Sequence, residues 1–304
     1  MPTTTAQDRP PSSPPPSPPP PPHTASSAAA SPPAAGTCGP SAEAAPSEPA
    51  TPGVDLESVN RQLAEAEPAE VVRWARETFG VAGQGGGVAP GGLVMSTSFG
   101  VQSAVMLHLV TRVIPHLPVI FIDTGFHFQE TYRFADQLTE RLELNLHVYG
   151  PAESPSWFVA RHGQLWDSQD PADLDRYDQL RKVEPMQRAL RELGATATLA
   201  GLRGQQTQHR AGLRKVEGQD GRYKISPILD WSTKDVHEYL KRHDLPYHPL
   251  HERGYASVGD WHSTRPITAG QDERAGRFNG LKQECGLHLP TTPQEDESRY
   301  SSGL

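Results

Sequence analysis

Apolar residues between positions 54 and 266 follow two spacings, one typical of helices and one typical of buried strands. The segment 54–80 has helical spacing, and Pro68 is expected to divide it into two helices. A short apolar run that ends in hydroxyls, 93–98, predicts one strand, and the continuous apolar run 118–122 predicts a strand covered on both faces of a sheet. Helical spacing follows each run, at 101–109 and at 129–142.

The same alternation continues along the chain. We predict a third strand at 144–149, a helix at 185–193, a fourth strand at 196–200 and a further helix at 234–241. Strands that alternate with helices predict an α/β fold with a doubly wound, mostly parallel sheet. Ligands of such sheets bind beyond the carboxyl ends of the strands, which here are 96–100, 123–125 and 201–203.

Composition divides the chain into three parts. Residues 1–52 hold 17 of the 31 prolines and four charged residues, so we expect a disordered tail over 1–53. The segment 54–266 is long enough for one large α/β domain or two small ones. Beyond Pro246 regular periodicity is lost while functional side chains stay dense up to His288. We therefore expect 267–304 to be a mobile C-terminal active-site tail.

Charge and residue usage argue against several functions. The chain has 28 Lys and Arg against 36 Asp and Glu, a net charge of -8, which argues against a general nucleic-acid binder. Apolar runs are too short to span a membrane, and the N-terminus resembles neither a secretory signal nor a transit peptide. Two cysteines, Cys38 and Cys285, cannot build a disulfide framework or a Cys-rich metal site within one chain. These features favour a cytoplasmic protein.

Two polar segments could bind an anion. Hydroxyls and a glycine at Thr97, Ser98 and Gly100 lie where a strand turns into a helix, a place where backbone N–H groups bind phosphate. A simple hydroxyl helix cap explains this pattern equally well. His262 and Thr264 lie beside Arg265 and could donate hydrogen bonds to phosphate or sulfate, although an ordinary polar loop is an equal alternative.

Basic residues suggest a polyanionic small ligand. Each alone could be a surface charge, but several follow predicted strand ends in an otherwise acidic protein. The residues are Lys182, Arg203, Arg210, Arg214, Arg265, Arg274 and Arg277.

Cys285 is the candidate nucleophile. It lies among polar residues with Arg274, Arg277, Lys282 and His288 nearby in the sequence, and positive charge favours the thiolate. Cys38 lies in the proline-rich tail without such neighbours and is interpreted as inert.

Taken together, these segments resemble the phosphoadenylyl-sulfate (PAPS) reductase family. The resemblance covers about residues 56–288, and its most specific part is the C-terminal Glu-Cys-Gly-Leu-His. The matching segments are 96–100, 123–126, 130–132, 182–185, Gly201-Leu202-Arg203, 254–255, 259–264 and 284–288. The resemblance implies an adenine-nucleotide alpha-hydrolase-like fold.

The family has a branch that reduces adenylyl sulfate (APS) and carries a [4Fe–4S] cluster on four cysteines. The corresponding positions here are Tyr177, Asp178, Asp260 and Ser263, so the thiolates that hold such a cluster are missing. The resemblance therefore implies the cluster-free branch, no tightly bound cofactor, and PAPS as substrate. A cluster-free APS reductase and an ATP-splitting adenylating enzyme remain as alternatives.

The family resemblance also implies a mechanism and a site. The Cys285 thiolate attacks the sulfate sulfur of PAPS, and thioredoxin or glutaredoxin releases sulfite from the resulting S-sulfocysteine. A homodimer is implied, with a C-terminal tail that closes over the nucleotide. The implied substrate-binding residues are Thr97, Ser98, Gly100, Lys182, Gly201, Arg203, Arg210, His262, Thr264, Arg274, Arg277 and His288.

Overall fold

A six-stranded sheet forms the centre of the protein. The computed structural model describes residues 53–82, 92–268, 271, 273–278 and 287, and within them the strand order is β3-β2-β1-β4-β6-β5. All neighbouring strands are parallel except β5 and β6, which form an antiparallel hairpin. The predicted mostly parallel α/β sheet is confirmed. The strands are β1 (Gly92–Thr97), β2 (Pro118–Ile122), β3 (Asn145–Tyr149), β4 (Ala195–Leu199), β5 (Val216–Gln219) and β6 (Arg222–Ile225).

Helices connect the strands. The described α-helices are α1 (Leu56–Gln62), α2 (Pro68–Phe79), α3 (Ala104–Val113), α4 (Gln129–Leu142), α5 (Pro155–His162), α6 (Pro171–Asp178), α7 (Glu184–Glu192), α8 (Gln208–Ala211) and α9 (Thr233–Arg242). A π-helical turn (Gln179–Val183) joins α6 to α7. Short 3₁₀ turns lie at Leu165–Asp167, Gly204–Gln206, Pro249–Arg253 and Trp261–Ser263.

The sheet is covered on both faces, as the continuous apolar run 118–122 predicts. Leu93 and Met95 of β1 pack into a core with α2, α3, α4 and α9, while Val94 packs with α7 on the opposite face. Because successive side chains of a strand point to opposite faces, a strand covered twice needs apolar residues at every position. All five residues of β2 are accordingly buried.

Proline begins several helices. Pro68 is the first residue of α2. At that position a backbone N–H has no hydrogen-bond partner within the helix, so a proline, which lacks this N–H, is tolerated. The predicted break at Pro68 is confirmed. The Glu70 carboxylate accepts a hydrogen bond from the N–H of Glu67 at 2.9 Å, which caps the same end.

Three loops meet at one edge of the sheet. Strand β1 lies between β2 and β4, so the chain turns to opposite sides of β1 and opens a crevice beyond its carboxyl end. The loops that follow β1, β2 and β4 are those predicted as ligand loops. Among the described helices, the search for an apolar segment long enough to cross a bilayer finds none.

Candidate active site

A cavity of about 290 Å³ opens at this crevice. Its wall includes most of the described residues that the sequence predicts for substrate binding. These are Thr97, Ser98, Gly100, Lys182, Gly201, Arg203, Arg210, Arg274 and Arg277. The structure therefore brings together groups that lie as much as 180 residues apart in sequence.

The cavity wall is strongly basic. Seven Lys and Arg side chains line it against three acidic ones, although the whole chain has a net charge of -8. Positive charge collected inside a crevice attracts and orients an anionic ligand of small size. The arrangement fits a ligand that carries several phosphate or sulfate groups.

The loop after β1 is held in an unusual backbone conformation. Phe99 has φ of 45°, in the left-handed region, and its ring is buried edge-to-face on Phe121 with centroids 5.1 Å apart. The N–H of Phe99 donates to Thr97 Oγ1 at 3.1 Å. Packing thus stabilises a backbone that is costly for a residue with a side chain. This turn places Ser98 and Gly100 on the cavity wall.

Lys182 is presented by the π-helical turn. Its Nζ lies 2.9 Å from Asp178 Oδ1 and 3.0 Å from Asp260 Oδ2, and all three residues are buried. A π turn inserts an extra residue into a helix and is often found at functional sites. Here the turn makes Lys182 part of the cavity wall while two carboxylates fix its ammonium group.

Asp260 is the centre of a buried polar network. It accepts hydrogen bonds from Thr124 Oγ1 and from the Tyr177 hydroxyl, the latter at 3.1 Å. Burial alone raises the pKa of Asp260, but the charge of Lys182 and the neighbouring donors outweigh it and hold the pKa well below its usual range. Asp260 therefore remains an anion that anchors Lys182.

Two predicted binding residues lie behind the cavity wall. His262 is buried, stacks on Trp166 with centroids 4.1 Å apart, and its Nε2–H donates to the Tyr177 hydroxyl at 3.0 Å. Burial lowers the pKa of His262 to about 4, so the imidazole is neutral at pH 7. Thr264 is also buried and donates to the backbone oxygen of Asp260 at 2.8 Å. In this structure both residues support the loop around Asp260, and neither lines the cavity.

The four positions that correspond to cluster cysteines are close together. Tyr177 and Asp260 share a hydrogen bond, Asp178 and Asp260 share Lys182, and Ser263 is buried in the same loop as Asp260. Phenol, carboxylate and hydroxyl groups do not fit an iron–sulfur cluster, which takes thiolate ligands. Across the described residues, no group of three His, Cys, Asp or Glu side chains is arranged to hold a metal ion.

Arg277 brings a buried positive charge to the cavity. Its guanidinium lies directly over Gly259, in the space that a Cβ atom at that position would occupy. Thr264 and Arg277 also form an isolated antiparallel bridge, which fixes the backbone of the segment. Only 6% of Arg277 is exposed, and its Nε has no hydrogen-bond partner within the described part of the chain. A buried arginine in this state is suited to an anionic ligand.

Arg203 and Arg210 are buried at the opposite side of the crevice, after β4. Arg203 donates to Gln102 Oε1 at 2.8 Å and to Glu273 Oε2 at 2.8 Å. Arg210 donates to Gln206 Oε1. Gln102, Gln206 and Glu273 were not predicted from the sequence, because single amides and carboxylates carry no distinctive motif.

The hairpin of β5 and β6 also lines the cavity and was missed. It contributes Asp220, Arg222 and Lys224 to the wall, and the Lys224 ammonium donates to the backbone oxygen of Leu287 at 3.0 Å. Asp220-Gly221 between two short strands is a known hairpin signal that could have revealed it. Cys285 and His288 lie outside the described residues, so their predicted roles stay predictions.

Comparisons with known proteins agree with this geometry. The family model for the phosphoadenosine phosphosulfate reductase domain matches residues 92–266. A phosphoadenosine 5′-phosphosulfate reductase of Synechocystis is 56% identical over 252 residues, 83% of this chain and 97% of that protein. A protein of the same name from Synechococcus is 57% identical over 77% of this chain and 97% of its own length.

A solved structure shows the same fold. The crystal structure of PAPS reductase from Candida auris, a phosphate complex, is 37% identical, with a TM-score of 0.58. The match covers 69% of this chain and 96% of that chain. From its fold, its basic crevice and these relatives, the chain belongs to the phosphoadenosine phosphosulfate reductase family.

Proposed function

We propose that the protein reduces PAPS to sulfite and adenosine 3′,5′-bisphosphate in assimilatory sulfate reduction. The observation that carries this proposal is the basic crevice at the switch point of the sheet, with Leu287 on its wall. Cys285, the only cysteine outside the N-terminal tail, precedes Leu287 by two residues in the sequence.

Binding of the substrate uses the two ends of the crevice. The loop with Thr97, Ser98 and Gly100 offers polar groups to the nucleotide. Lys182 and Arg277 supply positive charge beside Asp260, and Arg210 supplies it on the side of β4. Charged hydrogen bonds to phosphate and sulfate are the strong ones, and a narrow basic crevice favours a ligand with several anionic groups.

The chemistry is a nucleophilic substitution at sulfur. The Cys285 thiolate donates an electron pair to the sulfate sulfur, an S–S bond forms, and the bond from sulfur to the bridging oxygen breaks. Adenosine 3′,5′-bisphosphate leaves with that electron pair, and Cys285 becomes S-sulfocysteine. Buried cations beside the phosphosulfate stabilise the negative charge that develops on the leaving oxygen.

A dithiol protein, thioredoxin or glutaredoxin, completes the reaction. One of its thiolates attacks Cys285 Sγ and expels sulfite, and its second thiol resolves the mixed disulfide and restores the Cys285 thiolate. Two electrons pass from the dithiol to the sulfonate sulfur. We further propose, from the family resemblance, that the enzyme is a cytoplasmic homodimer without a tightly bound cofactor.

Sulfite release tests the proposal. Purified protein is supplied with thioredoxin and with either PAPS or APS at equal concentration, and the Cys285→Ser variant is the matched control. We expect turnover of PAPS, much slower turnover of APS, and no turnover by the variant. Equal turnover of APS would contradict the substrate assignment, and full activity of the variant would contradict the mechanism.

A further inference from the structure

Arg203 is a predicted substrate-binding residue, yet its guanidinium is already occupied within the protein. Its Nη2 donates to Glu273 Oε2 at 2.8 Å and to Gln102 Oε1 at 2.8 Å, and its Nη1 donates to Thr233 Oγ1 at 3.2 Å. Only 2% of Arg203 is exposed. A guanidinium with these three partners is fixed in position before any ligand arrives.

Glu273 accepts hydrogen bonds from three residues. Thr233 Oγ1 donates to its Oε1 at 2.7 Å, and Gln206 Nε2 donates to its Oε2 at 3.4 Å in addition to Arg203. Burial raises the pKa of Glu273, but the Thr233 hydrogen bond and the Arg203 charge outweigh this and lower the pKa. The carboxylate is therefore charged at neutral pH and tightly held.

These contacts join distant parts of the chain. Arg203 and Gln206 follow β4, Thr233 begins α9, and Glu273 lies in the C-terminal segment 273–278. That segment also carries Arg274 and Arg277, both on the cavity wall. An ion pair that fixes Glu273 thus fixes the start of the segment that supplies these arginines.

We propose that Glu273 is a positioning residue that fixes the C-terminal segment over the cavity by binding Arg203, Gln206 and Thr233. Arg203 then acts through Glu273 and does not bind a phosphate of the substrate. Gln206 links the same carboxylate to Arg210, because its Oε1 accepts from the Arg210 guanidinium. The nature of the ligand rests on the proposed function. The position of the segment 273–278 rests only on the contacts of Glu273 given above.

The alternative makes the opposite prediction for one variant. In the alternative, Arg203 binds a substrate phosphate, and Glu273 pairs with Arg203 only when no ligand is present. Loss of Glu273 then frees the Arg203 guanidinium and strengthens ligand binding. If Glu273 fixes the segment, its loss weakens binding, because Arg274 and Arg277 must then be ordered when the ligand binds. The sign of the change therefore separates the two explanations.

The test is a double-mutant cycle on the full chain, with adenosine 3′,5′-bisphosphate as the calorimetric probe. We expect Arg203→Ala and Glu273→Gln each to weaken binding by about tenfold, the effect of losing a charged hydrogen bond, and the double variant to be no weaker than either. Glu238→Gln removes an exposed ion pair to Lys234 within α9 and is the matched control, expected to bind normally. Unchanged or tighter binding by Glu273→Gln would overturn the proposal.

Limited trypsin digestion of the ligand-free protein gives a second readout, independent of the proposed function. Arg277 is buried in this structure, so cleavage after it requires the segment to open. We expect Glu273→Gln to be cut there about tenfold faster than the wild type or Glu238→Gln, again from the loss of a charged hydrogen bond. An unchanged rate would overturn the proposal even if no nucleotide binds. Faster cleavage without nucleotide binding would refute the proposed function alone.

Discussion

Gly259→Ala is a direct perturbation of the arginine that we assign to the substrate. A Cβ at this position would overlap both terminal nitrogens and the central carbon of the Arg277 guanidinium. Gly259 is not among the residues with positive φ, so alanine can adopt its backbone conformation. The obstructing atoms belong to the end of a flexible side chain, and we therefore expect the fold to survive while the guanidinium moves away.

The magnitude follows from the interaction that is lost. A hydrogen bond between charged groups contributes about 1.5–3 kcal/mol, so displacing Arg277 from an anionic ligand should weaken binding by roughly 10- to 100-fold. Relocating a buried guanidinium also costs stability, but it is the end of a flexible side chain, and we expect a loss of about 1 kcal/mol or less.

Two assays separate these effects. Calorimetric titration with adenosine 3′,5′-bisphosphate measures affinity, and urea unfolding measures stability. Gly218→Ala is the matched control, because a Cβ there would meet only Leu56 Cδ1 at an ordinary 3.8 Å. Normal affinity in Gly259→Ala, with the fold intact, would refute the placement of Arg277 against the ligand.

Three further predictions concern the buried network and the histidines. Asp260→Asn should lower the free energy of unfolding by about 3 kcal/mol, because it removes one carboxylate from buried Lys182, and a loss below about 1 kcal/mol in urea titrations would contradict this. The same variant should turn PAPS over more slowly than Tyr177→Phe, which loses one hydrogen bond to Asp260 but keeps the ion pair; sulfite release compares them, and the reverse order would contradict the anchoring role. Burial lowers the pKa of His248 and of His262 to about 4. Between about pH 6.5 and pH 4 these histidines are therefore protonated in the unfolded chain and neutral in the folded protein. Their contribution to stability is complete above that pH and declines toward pH 4, and urea unfolding at pH 7.5 and pH 5 should differ by at most about 2 kcal/mol for each histidine. Equal free energies of unfolding at the two pH values would contradict this, because they would mean that the folded protein binds the same protons as the unfolded chain.

The sequence predicted the parts of the fold whose apolar pattern is continuous. Strand β2 and helix α4 begin and end at the predicted residues, because their spacing and flanking polar residues are unambiguous. Helices α5 and α6 were missed because each has only eight residues. Helix α5 buries one residue, Phe158, and α6 buries two apolar residues, Leu174 and Tyr177, which are too few to establish a helical period. The β5–β6 hairpin was missed since its strands have four residues each.

The site was predictable only in part, for a related reason. Loops at strand ends could be placed because parallel strands bring their carboxyl ends to one edge. The partners of Asp260 could not, since Thr124 and Tyr177 lie 136 and 83 residues away from it and pair only in the folded chain. Glu273 likewise acquires its role from contacts with the loop after β4 and with α9 that no local pattern encodes.

The central claim is that Cys285 attacks the sulfur of PAPS. Mass spectrometry of the protein mixed with PAPS, without any dithiol protein, tests it most directly. We expect one SO₃ group on the peptide that contains Cys285, released as sulfite when thioredoxin is added, and no such adduct in Cys285→Ser. Sulfite formation without an adduct on Cys285, or an adduct that persists in Cys285→Ser, would contradict the mechanism.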